Sequence, residues 1–388
     1  MKKYIIISGL NLKDNNRGTA ALSYGSISFL KKIGYFKKGD ILLNIRYYKN
    51  PLKKEYRKLT KETLTIDREE IIIHTKYISI AEKFLLMKFG FIPPFSSLYR
   101  ISKSVKCVAA INGGDGFSDI YNTKTFLMRL PESLFAIKKN IPLIELPQTY
   151  GPFKHPQNLQ LAKYILTHAE KVYVRDTKFN VELNKMKINY ELTKDLSFFM
   201  QPEPFKINIE PNSIGINVSG LAYSNKFQTL SNQFTYYPLL ISSLIYHFQR
   251  KGHTVYLIPH SYHFGTPEIN NDDLDACKKI YESLENKSNI KLINQDLISP
   301  QIKYIISKMS FFIGTRMHAN FAAIYTNVPV FGLAYSYKFE GAFNANGLDG
   351  KLQTVMINNI KKEDINPIID KIEIAYKRLL LKKSLNEK

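Results

Sequence analysis

The sequence predicts an α/β fold with two doubly wound domains. Short apolar segments that fit buried strands alternate with stretches of helical periodicity along nearly the whole chain of 388 residues. The alternation is interrupted between residues 201 and 212, where prolines and polar residues accumulate. We therefore predict a first Rossmann-like domain over residues 1–200 and a second over residues 212–388. The two would face each other across a cleft in a GT-B-like arrangement.

Each predicted strand is a short apolar run followed by a polar or glycine-containing turn. In the first domain these runs cover residues 4–9, 41–45, 71–75, 107–112, 143–146 and 172–175. In the second domain they cover residues 214–219, 255–259, 290–293, 311–314 and 328–333. Helices of the second domain are predicted over residues 234–251, 272–284, 301–308 and 361–381, the last packing back on the first domain.

The composition excludes several classes of protein. Hydrophobic residues make up 44% and aromatic residues 13%, too much for a disordered chain. No apolar run approaches the roughly 20 residues that span a bilayer, and the N-terminal run reads as a first strand rather than a signal peptide. Cys107 and Cys277 lack metal-ligand spacing, which argues against a metal site or a disulfide framework and for a cytoplasmic protein.

The net charge of +22 is unevenly distributed. Residues 1–100 hold 20 Lys and Arg against 8 Asp and Glu, whereas residues 201–300 hold 8 against 9. Solvated lysines explain part of this surplus, and attraction to a membrane surface or a diphosphate-linked substrate is the functional interpretation. Nucleic-acid binding is not predicted, because no recognisable binding fold or basic aromatic platform accompanies the lysines.

Residues 79–99 combine phenylalanines with lysines around Pro93-Pro94. The simpler interpretation is a helix packed on the sheet, because apolar stripes are usually core. The alternative is a surface that makes peripheral contact with an anionic membrane, on the inner face of the plasma membrane, or grips a lipid-linked acceptor.

In doubly wound sheets, ligands bind beyond the carboxyl ends of the strands. This rule selects two groups of candidate residues. The first domain supplies Asn16, Gly18, Gly113, Gly114, Asp115, Asp119, Gln148, Tyr150 and Arg175. The second domain supplies His260, Arg316, His318, Lys338 and Glu340.

The segment from Ile313 to Glu340 reads as strand, turn, helix and strand. Thr315 is the predicted N-cap, so Arg316 and His318 are predicted in the first helical turn. Unpaired N–H groups and the positive end of the helix dipole favour an anion there. A guanidinium and an imidazole would reinforce such a site for phosphate or carboxylate.

These motifs together resemble the polysaccharide pyruvyl transferase family, over about residues 4–350. The most specific block comprises Arg316-Met317-His318, Asn327-Val328-Pro329 and Tyr335-Ser336-Tyr337-Lys338 with Gly341. Weaker matches are Asn16-Arg17-Gly18, Gly113-Gly114 with Asp119, Gln148 with Gly151-Pro152, Arg175-Asp176, and Pro259-His260 with Asp272-Asp273. Thr19 and Asp115 depart from the family pattern, at positions where the family commonly has an acid and a glycine.

The resemblance implies a transferase of cell-surface and exopolysaccharide biosynthesis. Such an enzyme moves pyruvate from phosphoenolpyruvate onto two hydroxyls of a sugar or lipid-linked saccharide, without a metal or other cofactor, and releases phosphate. The implied catalytic residues are His318, Arg316, Glu340 and Asp115, and the implied donor-binding residues are Arg316, Met317, His318, Arg175, Lys338 and His260. The implied acceptor-binding residues are Asn16, Gly18, Gly113, Gly114, Asp119, Gln148 and Tyr150.

The leading alternative is a GT-B-type glycosyltransferase that uses a nucleotide-sugar donor. Two facing doubly wound domains suit that reaction equally well, because a fold does not fix a function. A non-catalytic glycan-binding protein is a further alternative, against which Arg316 and His318 argue.

Overall fold

A computed structural model describes residues 3–49, 59–177 and 180–386. The chain forms two compact units, of which the first comprises Met1–Leu12 and Leu22–Met200. The second comprises Lys13–Ala21 and Gln201–Lys388. Two segments therefore differ from the predicted division: residues 13–21 belong to the second unit by their contacts, and residues 201–211 are part of that unit rather than a linker.

The first unit contains a sheet of eight strands among the described residues, in the order β3-β4-β2-β1-β5-β6-β7-β8. The strands are β1 Tyr4–Ser8, β2 Ile41–Tyr48, β3 Thr60–Ile66, β4 Glu69–Ser79, β5 Val105–Ala110, β6 Leu143–Gln148, β7 Lys171–Val174 and β8 Glu191–Leu192. The helices are α1 Arg17–Lys32, α2 Ile80–Phe89, α3 Ser97–Ser102, α4 Thr123–Met128, α5 Pro131–Lys138, α6 Pro156–His168, α7 Asn180–Lys185 and α8 Leu196–Phe199. Helix α1 begins within the segment that belongs to the second unit.

Strand β3 is the exception to the predicted parallel sheet. It pairs antiparallel with β4, while the other described pairs of this sheet are parallel. Asp67 and Arg68 join the two strands and both have positive φ, which suits a tight hairpin turn. The sequence of β3, TKETLTI, lacks an apolar run, so periodicity alone did not reveal it.

The second unit contains a sheet of six described strands, all parallel, in the order β11-β10-β9-β12-β13-β14. The strands are β9 Ile214–Asn217, β10 Val255–Leu257, β11 Ile290–Leu292, β12 Phe311–Gly314, β13 Val330–Ala334 and β14 Thr354–Met356. The helices are α9 Gly220–Ser224, α10 Tyr237–Arg250, α11 Asp273–Ser283, α12 Ser299–Ser307, α13 Met317–Ile324, α14 Lys338–Ala345, α15 Gly350–Gln353 and α16 Ile365–Asn386, with short 3-10 helices at Gln228–Leu230 and Lys362–Asp364.

Successive residues of β12 pack into two separate hydrophobic cores. Phe311 and Ile313 pack in one buried cluster and Phe312 packs in another. Because successive side chains of a strand point to opposite faces, the sheet is covered on both sides, as a doubly wound domain requires. The carboxyl ends of its buried strands are therefore the place where polar groups reach the surface of the unit.

The segment around Pro93-Pro94 is only partly core. Leu86, Ile92 and Leu98 are buried, but phenylalanines on α2 and in the α2–α3 connection are exposed. The expected packing of this segment on the sheet is thus true of Leu86, Ile92 and Leu98, with Met87 and Tyr99 partly buried against the same core. Among the helices of the described chain, none combines the length and apolar character needed to cross a membrane.

Candidate functional site

Asp273 lies at the centre of a polar cluster at the carboxyl edge of the second unit's sheet. It is the first residue of α11 and is completely buried. Its carboxylate accepts hydrogen bonds from the backbone N–H groups of Gly220 at 2.8 Å, Ser261 at 2.9 Å and His260 at 3.1 Å. It thereby ties together the chain segments that follow β9 and β10.

Arg316, which follows β12, provides the counter-charge. Its Nη2 lies 2.7 Å and its Nε 3.1 Å from Oδ1 of Asp273, and Nη2 also donates to Oδ1 of Asn271 at 2.8 Å. Burial opposes the charge, but Asp273 outweighs it, so the pKa of the Arg316 guanidinium is raised. The edge of the guanidinium formed by Nε and Nη2 is thus hydrogen-bonded within the protein. Among the residues that the structure describes, Nη1 has no hydrogen-bond partner.

Helix α13 begins one residue later than its sequence predicts. Arg316 has extended backbone, with φ −88° and ψ 134°, and its N–H donates to Oδ1 of Asn217 at 2.8 Å. Thr315 does not cap the helix, because its buried hydroxyl hydrogen-bonds the Tyr237 hydroxyl at 2.8 Å. Met317 and His318 therefore form the first turn, beside the positive end of the helix dipole, and Arg316 directly precedes it.

His260 lies in the same cluster and is 3% exposed. Its pKa is well below the ordinary histidine value because burial disfavours the charged ring, and because His318, Arg316 and Arg17 add positive charge nearby. The imidazole of His260 is consequently neutral at neutral pH. A neutral ring between cations can accept a hydrogen bond without adding to the local charge.

The predicted domain division places Asn16 and Gly18 in the first domain, and this prediction is wrong. They lie in the second unit, where Asn16 forms an isolated bridge with Ser261 and its Oδ1 accepts from the Gly18 N–H at 3.0 Å. A Cβ atom added to Gly18 would lie 2.7 Å from Nδ1 of His318. The loop that contains Asn16 and Gly18 therefore packs closely against His318.

Arg17 holds this loop against the second unit. Its guanidinium lies 4.3 Å from the centre of the Tyr262 ring and donates to the carbonyl oxygens of Leu297 at 2.7 Å and Tyr262 at 3.2 Å. Its own N–H donates to the His260 carbonyl at 3.0 Å, and the Ser299 hydroxyl donates to its carbonyl at 2.7 Å. Arg17 is thus the anchor that brings Gly18 to His318.

Lys338 and Glu340 lie on α14 and are both exposed. The Cγ of Glu340 lies close to Gly350 at the start of α15, where an added Cβ would be 2.8 Å away. Tyr335, which precedes α14, is near enough to Arg316 to contribute to the raised pKa of the guanidinium. Tyr335 therefore lies within electrostatic range of the cluster.

In the first unit, Gly113 and Gly114 form a turn after β5 with positive φ. Arg129 lies over this turn and donates from Nη1 to the Asn112 carbonyl at 2.8 Å, and an added Cβ at Gly116 would overlap its guanidinium. No carboxylate within the described residues pairs with Arg129. Asp115 beside it accepts from the Tyr121 hydroxyl at 3.0 Å.

Arg175 follows β7 and is bound by acids of its own unit. Its Nη1 lies 2.7 Å from Oδ2 of Asp195 and its Nε 3.5 Å from Oδ2 of Asp176. Burial opposes the charge, but Asp195 and Asp176 outweigh it and raise the pKa of the guanidinium. An added Cβ at Gly114 would lie 2.8 Å from Nη1, so the glycine turn passes close to this arginine.

Asp119 is buried and stabilises the start of α6. It accepts from the N–H groups of Lys154 at 2.8 Å and His155 at 3.0 Å, and from Nδ2 of Asn158 at 2.9 Å. Burial alone would raise the pKa of the carboxyl group, but these three donors lower it below its ordinary value. The carboxylate of Asp119 is thus engaged in hydrogen bonds that hold the fold together, unlike the side chain of a residue that binds a saccharide acceptor.

Gln148 and Tyr150 are buried as well. Nε2 of Gln148 donates to Oε2 of Glu145 and to the Tyr150 hydroxyl, both at 3.1 Å, and that hydroxyl donates to the Leu146 carbonyl at 3.0 Å. Burial raises the pKa of Glu145 to about 8, despite hydrogen bonds from Ser133 and Gln148 that lower it. The side chains predicted to contact an acceptor are thus members of an internal polar network.

No group of three or more His, Cys, Asp or Glu side chains suited to a metal ion occurs in the described part of the chain. Cys107 and Cys277 are both free and buried.

A sequence model of the polysaccharide pyruvyl transferase family matches residues 16–337. The chain belongs to this family. The match makes the protein a transferase, and it includes both the loop around Gly18 and the Arg316–His318 segment.

Solved structures resemble this chain in fold. The UDP-GlcNAc 2-epimerase from Methanocaldococcus jannaschii aligns with a TM-score of 0.53 and 11% identity, over 97% of this chain and 93% of that one. The enzyme from Neisseria meningitidis bound to UDP-GlcNAc aligns with a TM-score of 0.52 and 14% identity, over 98% and 94%. A putative UDP-N-acetylglucosamine 2-epimerase from Listeria monocytogenes aligns with a TM-score of 0.51 and 12% identity, over 98% and 91%. The predicted class of two Rossmann-like, GT-B-like domains is confirmed.

Three residues of the transferase's clusters were not proposed as site residues from the sequence. The sequence motifs contain Asp273 only as half of an acidic pair and Arg17 only as the middle of Asn-Arg-Gly, and none of them contains Arg129. The available signal for Asp273 was its position next to Asp272, which caps α11 through the Asp275 N–H at 2.9 Å and leaves the second acid without a capping task.

Proposed function

We propose that this transferase moves the pyruvyl group of phosphoenolpyruvate onto two hydroxyls of a saccharide of cell-surface polysaccharide synthesis. The product would be a cyclic ketal, with phosphate released. The observation that carries the proposal is the pairing of Arg316 with Asp273 directly before the first turn of α13, where His318 lies. This combination offers fixed positive charge and a titratable ring in one place.

The donor is expected at this end of α13. Nη1 of Arg316 would donate to the carboxylate or phosphate, while Asp273 holds the other edge of the guanidinium in position. The N-terminal end of α13, with the N–H groups of Met317 and His318, would help to bind the same negatively charged group. Lys338, exposed on α14, would neutralise remaining charge on the donor.

The reaction requires movement of two protons. One sugar hydroxyl adds to C2 of phosphoenolpyruvate while C3 gains a proton and becomes a methyl group. The second hydroxyl then replaces phosphate at C2, and its proton leaves with the phosphate. His318 is the acid and base that we assign to these transfers, because an imidazole titrates near neutral pH. Neutral His260 is suited to accept a hydrogen bond from an attacking hydroxyl and so to orient it, because its lowered pKa keeps the ring unprotonated.

We assign the acceptor to the first unit, at the turn that contains Gly113 and Gly114. Glycines permit close approach of a ligand to the backbone, and Arg129 supplies an unpaired cation over the same turn. A lipid-linked saccharide carries phosphate that such an arginine could bind. Asp115, beside the turn, and exposed Glu340 remain the lower-ranked candidates for a base.

The direct test is incubation of the full chain with phosphoenolpyruvate and a panel of nitrophenyl and lipid-linked sugars. Phosphate release should accompany a mass gain of one pyruvyl group on the acceptor. His318→Ala should abolish both signals, while His168→Ala, which removes an exposed histidine at the end of α6, should leave them unchanged. Full activity of His318→Ala would exclude the assigned role.

Donor identity is tested separately by thermal unfolding. Phosphoenolpyruvate at millimolar concentration should raise the melting temperature, because a ligand of the native state stabilises it by mass action. A shift with a UDP-sugar and none with phosphoenolpyruvate would instead indicate a nucleotide-sugar transferase.

A further inference from the structure

A basic aromatic surface of the first unit lies outside both candidate sites. It is formed by α2, α3 and their connection, and we define it by Phe84, Phe89, Phe91 and Phe95 with Lys88 and Arg100. Three aliphatic residues of the same segment, Leu86, Ile92 and Leu98, are buried in the core. The segment is therefore held on the unit by its aliphatic side chains, while its phenylalanines remain exposed.

The exposed rings are unusually concentrated. Six phenylalanines of the described chain are at least 40% exposed, and four of them lie between residues 84 and 95. Phe95 is 78% exposed and Phe89 62%. Scattered exposed apolar residues are normal on a protein surface, but several exposed rings within one short segment mark a surface that something else covers.

The charge of the segment is also one-sided. Residues 80–103 contain four Lys and Arg against one acid, Glu82, and that carboxylate accepts the Leu98 N–H at the start of α3 at 2.9 Å. Neither Lys88 nor Arg100 forms an ion pair in the part of the chain that the structure describes. The surface therefore keeps its positive charge.

Cations and rings share one face of α2. Nζ of Lys88 lies 5.4 Å from the centre of the Phe84 ring and 5.3 Å from that of Phe89, and the two rings meet edge to face with centres 6.1 Å apart. Nearby, Nζ of Lys139 lies 4.3 Å from the centre of the Tyr99 ring. Peripheral membrane segments combine two features: aromatic rings that enter the membrane interface, and neighbouring ammonium groups that contact the lipid phosphates.

We propose that this surface docks the protein on a bilayer that contains anionic phospholipids. The phenylalanines enter the boundary between headgroups and acyl chains, and Lys88 and Arg100 meet the lipid phosphates. A protein partner fits less well, because the cores of protein interfaces are depleted in lysine, whereas lipid headgroups accept lysine beside an aromatic ring. This proposal does not depend on the reaction that the enzyme performs.

The test is cosedimentation of the full chain with vesicles. Vesicles of equal parts phosphatidylcholine and phosphatidylglycerol should bind the protein, and phosphatidylcholine alone should bind it weakly. The variant Phe84→Ser/Phe89→Ser/Phe95→Ser should raise the lipid concentration for half binding by about tenfold or more, because three apolar rings no longer enter the bilayer. Its melting temperature should stay near that of the wild type, because the three rings are exposed. Lys88→Glu should weaken binding and make the remainder less sensitive to salt.

A matched control is needed because the net charge of +22 can adsorb to anionic vesicles by itself. Ile269→Ser/Ile374→Ser removes two exposed apolar residues from the second unit without changing the charge, and it should bind vesicles like the wild type. Equal binding of the triple phenylalanine variant and the wild type would overturn the proposal. So would failure of the wild type to bind, or a triple variant whose only change is loss of self-association in ultracentrifugation, which would assign the surface to a second copy of the chain.

Discussion

Gly18 and His318 touch each other at the second unit's cluster. A Cβ atom at position 18 would lie 2.7 Å from Nδ1 of His318 and 2.9 Å from its Cβ and Cγ. Gly18 lies within α1 and is not among the residues with positive φ, so backbone conformation does not require a glycine there. The close approach of the histidine is what requires it.

We expect Gly18→Ala to lower kcat about a hundredfold, because displacement of a catalytic group by about 1 Å has an effect of that size. Stability should change little, since alanine favours a helix by about 1 kcal/mol over glycine and offsets part of the crowding. Phosphate release and thermal unfolding measure the two effects.

Gly252→Ala is the matched control for this substitution. Gly252 has φ +82° with no neighbouring atom near an added Cβ, so alanine there should cost about 1–2 kcal/mol of stability and leave kcat unchanged. Wild-type turnover in Gly18→Ala would show that the position of His318 does not limit the reaction.

The second prediction concerns the buried pair of Asp273 and Arg316. Asp273→Asn should destabilise the protein by about 3–5 kcal/mol, because it leaves a buried guanidinium without its counter-charge. It should also abolish stabilisation by phosphoenolpyruvate, since Arg316 is no longer held in position. Urea unfolding with and without the donor measures both effects.

Asp296→Asn removes a carboxylate that pairs with Arg17 at 3.2 Å but is 67% exposed. This control should cost at most about 1 kcal/mol and retain the response to phosphoenolpyruvate. If Asp273→Asn and Asp296→Asn lost similar stability and similar response to phosphoenolpyruvate, the burial of Asp273 would not explain its effect.

Local sequence patterns were sufficient to predict the strand-end positions of Arg316, His318 and His260. Each follows an apolar run, and the rule that ligands bind beyond the carboxyl ends of parallel strands needs no knowledge of distant contacts. The same patterns missed β3, because a charged edge strand has no apolar run to detect.

Long-range contacts account for what the sequence did not predict. Residues 13–21 join the second unit because Arg17 packs on Tyr262 and donates to Leu297, hundreds of positions away along the chain. Asp273 becomes a central acid only because the loops after β9 and β10 point their N–H groups at it. Neither relationship leaves a periodic signal in the amino-acid sequence.

The third prediction separates structure from acceptor recognition at Asp119. Asp119→Ala should destabilise the protein by about 1–3 kcal/mol, since it leaves the donors of Lys154, His155 and Asn158 without their acceptor. The KM for acceptor should stay near the wild-type value. Because its pKa is lowered by folding, the stability from Asp119 is present above the unfolded-state pKa and is lost as the pH falls. A raised acceptor KM at unchanged stability would instead assign Asp119 to the acceptor.

The fourth prediction concerns Glu145, whose pKa burial raises to about 8 from the ordinary value of 4.5. Between these values the folded protein keeps this carboxyl protonated while the unfolded chain ionises it, so the folded state binds more protons. The contribution of Glu145 to stability is therefore complete below the unfolded-state pKa. It falls by about 1.4 kcal/mol per pH unit as the pH rises towards 8.

Glu145→Gln removes this titration and keeps the shape and most of the hydrogen-bonding capacity of the side chain, next to Ser133 and Gln148. The variant should gain stability relative to the wild type as the pH is raised from 5 to 8, measured as urea midpoints across that range. Glu191→Gln, which removes an exposed acid on β8, serves as the control and should follow the wild-type pH profile closely. Parallel profiles for the wild type and Glu145→Gln would mean that Glu145 is ionised in the folded protein, and that its hydrogen bonds outweigh the effect of burial.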